Sequence, residues 1–161
     1  MKKITCLFMF VLAGAMAFSQ QKLEDGIYLL DQSAGNRHNS PAPQRVAIRF
    51  NPQFIEEDPA NYDPLFVATD EFFAFANAGK PVIERQSKQV NRVLLQLTGT
   101  AAEKLKAFTA RNLLKKIVVV VNNEALAVYK IDKPVASGLV VITKCDGQAC
   151  RQIAKKLRDT I

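Results

Sequence analysis

The side chains that could carry out catalysis are few, and the first group surrounds one histidine. His38, the only histidine, lies in a stretch rich in Asn, Ser, Gly and Pro, with Ser33 and Ser40 near it. A serine hydrolase also needs a group that orients the imidazole and an oxyanion site, and the sequence contains no Gly-x-Ser-x-Gly nucleophile turn. We interpret His38 as a loop residue and keep a small secreted hydrolase as an alternative.

A second candidate group is acidic and consists of Glu56, Glu57, Asp58 and Asp63. Paired carboxylates could perform acid–base chemistry, but their spacing does not follow the calcium-loop pattern of alternating Asp residues with a closing Glu. The glycines are scattered and form no phosphate-binding loop. The acidic group therefore indicates a solvated loop, and we predict no catalytic residue, no cofactor and no metal.

Cysteine spacing gives a clearer signal. Cys6 lies in the apolar N-terminal run, whereas Cys145 and Cys150 lie near the C-terminus with four residues between them. This spacing is wider than that of a thioredoxin-like redox pair, and distant His38 cannot complete a zinc set. If the protein is exported, as its N-terminus predicts below, an even pair favours a structural disulfide, with two unpaired thiols as the alternative.

The N-terminus has the order of a secretory signal. Lys2 and Lys3 precede an apolar run from Ile4 to Ala17, and small residues then lead to a predicted cleavage between Ser19 and Gln20. The run is shorter than the about 20 residues that a membrane span needs. A buried N-terminal helix is the alternative. Because no later run approaches spanning length, we predict a periplasmic or secreted protein without an integral span after signal removal.

Charge excludes one class of partner. The formal net charge is +7, and loss of Lys2 and Lys3 with the signal would leave about +5. This excess is mild, and no basic stripe alternates with stacking aromatics. We therefore predict that the protein does not bind nucleic acid.

The N-terminal half of the mature chain reads as strands separated by long loops. We predict strands at Gly26–Leu30, Arg45–Phe50 and Leu65–Ala68, and loops at Asp31–Gln44 and Asn51–Pro64. The stretch Asp70–Ala78 suggests a short helix that Asp70 caps and that ends at Gly79-Lys80-Pro81.

The C-terminal half has stronger patterns. We predict a strand at Arg92–Leu97, a helix to about Asn112, and strands at Ile117–Val121, Ala125–Ile131 and Leu139–Thr143. Thr100 and Glu103 have the spacing of a capping box, and Asn122-Asn123 is typical of a hairpin turn. The five β-branched residues of Ile117–Val121 suit a strand covered on both faces. Asp146 can cap a last helix, whose apolar stripe contains Cys150, Ile153, Ala154 and Leu157.

These elements predict an α+β fold with a mostly antiparallel sheet and two main helices packed on one face. We divide the chain into a signal peptide (1–19), N-terminal strands and long loops (20–90) and a C-terminal α+β domain (91–161). The aromatic residues Phe66, Phe72, Phe73 and Phe75 form a possible contact patch for a partner if some of them are exposed, and core residues if they are not.

The stretch from Val93 to Leu157 resembles the first periplasmic head subdomain of the SecD/SecDF translocation factors. The similarity lies in the helix sequence Ala101–Asn112, the strand Ile117–Val121, the turn Asn122-Asn123, Gly138 and the pair Ile142-Thr143. The chain departs from the family pattern where Asn122-Asn123 replaces Asp-Gly, where Tyr129 replaces Pro and where Lys144 replaces Gly. The membrane spans that couple SecDF to a proton gradient have no counterpart here.

The resemblance implies a head-like fold and contact with polypeptide that emerges from a translocation channel. It does not carry over proton-driven transport, and a shared fold does not by itself transfer a function. We therefore predict a non-enzymatic exported binding module whose partner is a translocated or unfolded polypeptide or another envelope protein. A purely structural or inhibitory envelope protein remains an alternative.

Overall fold

The computed structural model describes residues 22–31, 45–51, 65–75 and 78–160. The predicted signal peptide and its cleavage site lie outside these residues. The elements, in chain order, are β1 (Gly26–Leu30), β2 (Arg45–Phe50), β3 (Leu65–Ala74), β4 (Pro81–Arg85), β5 (Asn91–Gln96), α1 (Gly99–Arg111), β6 (Lys116–Val121), β7 (Glu124–Lys130), β8 (Leu139–Cys145) and α2 (Gly147–Thr160). This composition confirms the predicted α+β class.

The strands form two sheets where the sequence suggested one. Five close into a barrel in the order β1-β3-β2-β7-β6, and three form a second sheet in the order β4-β5-β8. All pairings are antiparallel except that between β2 and β7. The barrel closes because β1 pairs with β3 on one side and with β6 on the other. Helix α1 packs near β3, whereas α2 lies mainly on the second sheet.

Strand β6 separates two hydrophobic cores. Val118 and Val120 belong to the cluster inside the barrel, whereas Ile117, Val119 and Val121 belong to the cluster that the helices and the second sheet complete. Successive side chains of a strand point to opposite faces, so a continuous β-branched run is buried on both. The predicted two-sided burial of this strand is confirmed, since Val118 to Val121 are fully buried.

The predicted hairpin turn between β6 and β7 is also confirmed. Asn122 and Asn123 have φ values of 52° and 63°, a left-handed conformation that Asn tolerates better than most residues. The buried Asp25 holds this turn against β1, because its carboxylate accepts a hydrogen bond from the Asn122 N–H at 2.7 Å. The Asp25 carbonyl accepts a second bond from the Phe75 N–H at 2.9 Å.

The helix predicted for Asp70–Ala78 is wrong. Residues up to Ala74 continue β3, which pairs with β1 from Gly26 opposite Ala74 to Leu30 opposite Val67. The register shifts between Tyr28 and Leu29, and this irregularity breaks the strand alternation in the sequence. The local pattern of residues 70–74 is ambiguous between helix and strand. Pairing with β1 decides that these residues form a strand.

The capping box predicted at Thr100 and Glu103 is wrong as well. Helix α1 begins at Gly99, and the preceding Thr98 makes no side-chain capping bond. Gly99 has a φ of 54°, which a glycine adopts without steric cost. The helix therefore starts two residues earlier than the box requires, because the chain turns sharply as it leaves β5.

The C-terminal helix agrees with the sequence. The Asp146 carboxylate accepts hydrogen bonds from the Gln148 and Ala149 N–H groups, both at 2.8 Å, which confirms the predicted cap. The predicted apolar stripe is buried. Cys145 at the end of β8 and Cys150 in α2 form the predicted disulfide, with their Cα atoms 5.4 Å apart. This bond fixes the first turn of α2 to the second sheet.

Reduction of the disulfide should destabilise the protein. The bond closes a short loop of sequence separation 5, for which the chain-entropy model gives about 2 kcal/mol in the free energy of unfolding. Urea denaturation with and without a reductant measures this difference. A variant with both Cys145→Ala and Cys150→Ala is the control and should not respond to the reductant. A wild-type midpoint that is the same in both conditions would contradict the prediction.

Candidate functional site

The residues of the hydrolase alternative lie outside the described part of the chain. They are His38, Ser33 and Ser40 of the first loop and Glu56, Glu57, Asp58 and Asp63 of the second. Within the residues that the structure describes, no group of three or more His, Cys, Asp or Glu side chains could hold a metal ion. In the same residues no helix is both long enough and apolar enough to cross a bilayer.

The structure divides the predicted aromatic patch. Phe73 and Phe75 are buried in the core that the helices complete, so these two rings are core residues and not contact residues. Phe66 is half-buried, and the Arg45 guanidinium lies 5.6 Å from the centre of its ring. Phe72 keeps 37% of its surface exposed. A patch for a partner is therefore limited to Phe66 and Phe72.

A buried tyrosine holds Phe72 in place. The rings of Tyr28 and Phe72 are stacked, with their centres 4.8 Å apart and their planes within 1°. The Tyr28 hydroxyl donates to the Glu24 carbonyl at 2.7 Å. Burial, with a smaller contribution from the negative charge of Glu24, raises the pKa of Tyr28 to about 12. Phe72 therefore stacks on a ring that stays neutral at physiological pH.

Phe72 also forms part of a groove between β3 and α1. The groove has a volume of about 510 Å³, and Lys104 and Arg111 of α1 lie on its wall. Arg111 is paired with Glu71, with the nitrogen and oxygen atoms 3.6 Å apart. The Asn112 side chain donates to the same carboxylate at 3.0 Å. This side of the molecule thus presents one aromatic ring beside two cations, one of them already paired.

The second exposed surface is the outer edge of β4. This strand and β5 form a hairpin whose register places Pro81 opposite Leu95 and Arg85 opposite Asn91. The Ser87 hydroxyl in the turn accepts a hydrogen bond from the Val90 N–H at 3.1 Å. Within the described ranges, β4 is the last strand of its sheet.

The direction of the main-chain groups of β4 follows from this hairpin. The Gln86 N–H donates to the Val90 carbonyl at 3.0 Å. Hydrogen-bonded and non-hydrogen-bonded pairs alternate along an antiparallel ladder, so the main-chain groups of Glu84 and Val82 point toward β5. Those of Ile83 point away from the sheet, as the free edge of a strand requires.

Side chains at this edge are largely apolar. Val82 is 55% exposed and Ile83 39% exposed. Glu84 is tied to Arg92 on β5, because the Arg92 guanidinium donates two hydrogen bonds to one carboxylate oxygen, at 2.8 and 3.0 Å. Pro81 stands at the first position of the strand, where an edge tolerates its missing N–H. Among the residues that the structure describes, the centre of β4 thus combines main-chain groups that no other strand pairs with and exposed aliphatic side chains.

Sequence reasoning missed β4, because Gly79-Lys80-Pro81 was interpreted as the end of a helix. A signal was nevertheless present. Two stretches that carry aliphatic residues, 81–85 and 91–96, flank a short polar segment that contains Ser87, and this arrangement is typical of a hairpin.

Two solved SecDF structures align with this chain. A crystal structure of SecDF in a super-membrane-facing form aligns with 83% of this chain and 18% of its own, with a TM-score of 0.56 and 15% sequence identity. A second structure, of SecDF as a membrane component that enhances protein export, aligns with 84% of this chain and 63% of its own, with a TM-score of 0.49 and 14% identity. No protein-family model and no curated protein matches the chain. The chain thus spans less than two thirds of each SecDF chain, and the first alignment supports a SecDF-like fold.

Ionisation of Tyr28 should weaken the folded state in alkali. Its folded pKa is raised from 10.0 to about 12, so its contribution to stability is complete below pH 10 and is lost as the pH rises toward 12. Between these limits the wild type should lose up to about 3 kcal/mol more free energy of unfolding than Tyr28→Phe, which cannot ionise. Denaturant unfolding of both proteins across this range measures the difference. Parallel pH profiles would contradict the prediction.

Proposed function

We propose that this protein is an exported, non-enzymatic binding module that holds an extended segment of polypeptide, either an unfolded client or part of an envelope partner. The segment adds to the outer edge of β4 as a fourth strand of the β4-β5-β8 sheet. This mode of recognition takes its affinity from main-chain hydrogen bonds and its preference from the side chains beside them.

The observation that carries the proposal is the open edge of β4. The N–H and C=O groups of Ile83 point away from β5 and can form a pair of hydrogen bonds with an added strand. Each such bond contributes about 1 kcal/mol net. The exposed side chains of Val82 and Ile83 would contact alternate side chains of the segment, which favours apolar or β-branched residues in the ligand.

The sheet behind this edge is rigid enough to act as a template. Strand β5 pairs with both β4 and β8, and the disulfide fixes α2 to the end of β8. A template that does not rearrange lowers the cost of ordering the complex. The same disulfide supports the proposed export, because such bonds persist mainly in oxidising compartments.

We infer that the partner is a polypeptide and that the compartment is the periplasm or the outside of the cell, after removal of residues 1–19. The SecDF-like fold is compatible with this role and does not establish it, since folds host many functions. Phe66 and Phe72 supply a further apolar contact if the segment extends over the barrel. Strand addition needs no catalytic residue and no cofactor.

A labelled, unstructured peptide with alternating apolar residues tests the proposal. Two further forms of the peptide carry N-methyl groups on every second amide. One form is methylated at the odd positions and the other at the even positions, so that only one of them has its methyl groups on the side that faces β4. Only the peptide whose methylated amides face β4 should bind more weakly, by about fivefold for each main-chain bond that is lost, in a fluorescence anisotropy titration. Equal affinity of both methylated peptides, or no binding of the unmodified peptide, would exclude strand addition.

A variant of the protein tests the same edge independently. Ile83→Pro removes the outward N–H and no bond to β5, so binding should fall about fivefold while the melting temperature changes little. Ile83→Val retains the N–H and is the matched control, with near wild-type affinity. If Ile83→Pro binds the peptide as tightly as Ile83→Val, the partner does not pair with β4.

A further inference from the structure

Two adjacent leucines are exposed in the turn between α1 and β6. Leu113 is 44% exposed and Leu114 is 70% exposed, the largest value among the large exposed hydrophobic residues of the described chain. We call this pair the leucine tip. Burial in the protein does not explain why both positions are leucine.

Backbone conformation does not explain the leucine at position 114 either. Leu114 has a φ of 65°, in the left-handed region that glycine and asparagine adopt far more readily than leucine. A residue that is both exposed and conformationally unfavourable suggests a role outside the fold itself.

The turn that presents the leucine tip is firmly held. The Leu114 N–H donates to the Ile131 carbonyl at 2.8 Å, and the Ile131 N–H donates to the Lys115 carbonyl at 3.0 Å. The Asn112 side chain, just before the tip, donates to the Phe108 carbonyl at 3.0 Å. The backbone that carries the two leucines is therefore held in place by these bonds.

Cations flank the leucine tip. Arg111 precedes it and Lys115 follows it in the chain. Lys130 is adjacent to Ile131, whose carbonyl accepts the hydrogen bond from the Leu114 N–H. The Lys115 ammonium donates to the neutral Asn112 amide oxygen at 2.8 Å, so its charge is not neutralised by that bond.

Among the described residues, two of these three cations are paired with a carboxylate. Glu71 lies 3.6 Å from Arg111, and Asp132 lies 3.8 Å from Lys130. Both are largely exposed pairs, and such pairs contribute little and exchange partners easily. The surface around the leucines is therefore positive.

We propose that the leucine tip is a docking site for an anionic phospholipid surface. Exposed aliphatic side chains enter the boundary between headgroups and acyl chains, while neighbouring lysines and arginines approach the phosphates. An exposed apolar pair flanked by cations matches both parts of such a surface. The proposal is independent of strand addition at β4, which lies on the other sheet.

The chain contains no tryptophan, so one introduced tryptophan reports on the tip alone. Leu113→Trp in the full chain should shift its fluorescence emission to the blue when vesicles of equal parts phosphatidylglycerol and phosphatidylcholine are added. Lipids with brominated acyl chains should quench it. The tryptophan reports only on its own surroundings, and a control tryptophan elsewhere in the same full chain shows what binding through residues 1–19 does by itself.

Leu139→Trp is the matched control. Leu139 is 39% exposed, and Gly138 beside it lies against Ala102 in the first turn of α1. The tip follows the other end of this helix, nine residues beyond Ala102 and about 14 Å away. The Leu139→Trp emission should not change with either vesicle.

Adding Leu114→Asn to the Leu113→Trp chain separates the apolar contact from folding. Asparagine tolerates the left-handed conformation, so the fold should be at least as stable, while vesicle partitioning should fall about tenfold for the lost leucine contact. Vesicles of phosphatidylcholine alone should bind much more weakly than the anionic vesicles.

Three results would overturn the proposal. They are an unchanged Leu113→Trp spectrum with anionic vesicles, equal shifts with neutral and anionic vesicles, and unchanged partitioning after Leu114→Asn. Capture of a protein that depends on Leu114, without any vesicle response, would assign the tip to a protein interface and would also overturn it.

Discussion

Burial of β6 from both sides is the constraint on which the rest of the structure depends. Its five consecutive aliphatic residues alternate between two faces, and each face needs its own apolar cover. Fully burying one such side chain stabilises the fold by about 1.5–3 kcal/mol, so neither face can be left in water. The barrel covers one face. The helices and the second sheet cover the other, which accounts for the presence of two sheets in such a short chain.

The rigid frame around β6 extends to both surfaces that we connect with binding. At one end, β6 follows directly on the leucine tip, and the backbone bonds to Ile131 join that turn to the end of β7. On its outer side, β6 contacts α2, and the disulfide between Cys145 and Cys150 fixes α2 to β8. The tip and the edge of β4 therefore lie at the margins of well-packed elements, where an exposed apolar residue keeps a defined position.

Sequence patterns succeeded where burial and local chemistry agree. The two-sided strand, the Asn122-Asn123 turn and the Asp146 cap each depend on residues a few positions apart, and all three are present.

The patterns failed at β3 and at the start of α1. In β3 the register shift opposite Tyr28 disturbs the alternation, and four aromatic residues in and beside one strand face different surroundings. Phe73 and Phe75 are core residues, while Phe72 is exposed.

The sequence by itself determined the fold class, the most deeply buried strand, the pairing of the two C-terminal cysteines and the resemblance to the SecDF head. The fold class and the buried strand follow from local hydrophobic periodicity. The disulfide follows from two cysteines in a protein that is predicted to reach an oxidising compartment. Only the tertiary structure decided which strand ends a sheet and which leucines remain outside a core. An edge exists because no other strand arrives there, and exposure exists because no other side chain covers it. Both depend on contacts between residues far apart in the chain, which a local pattern does not contain.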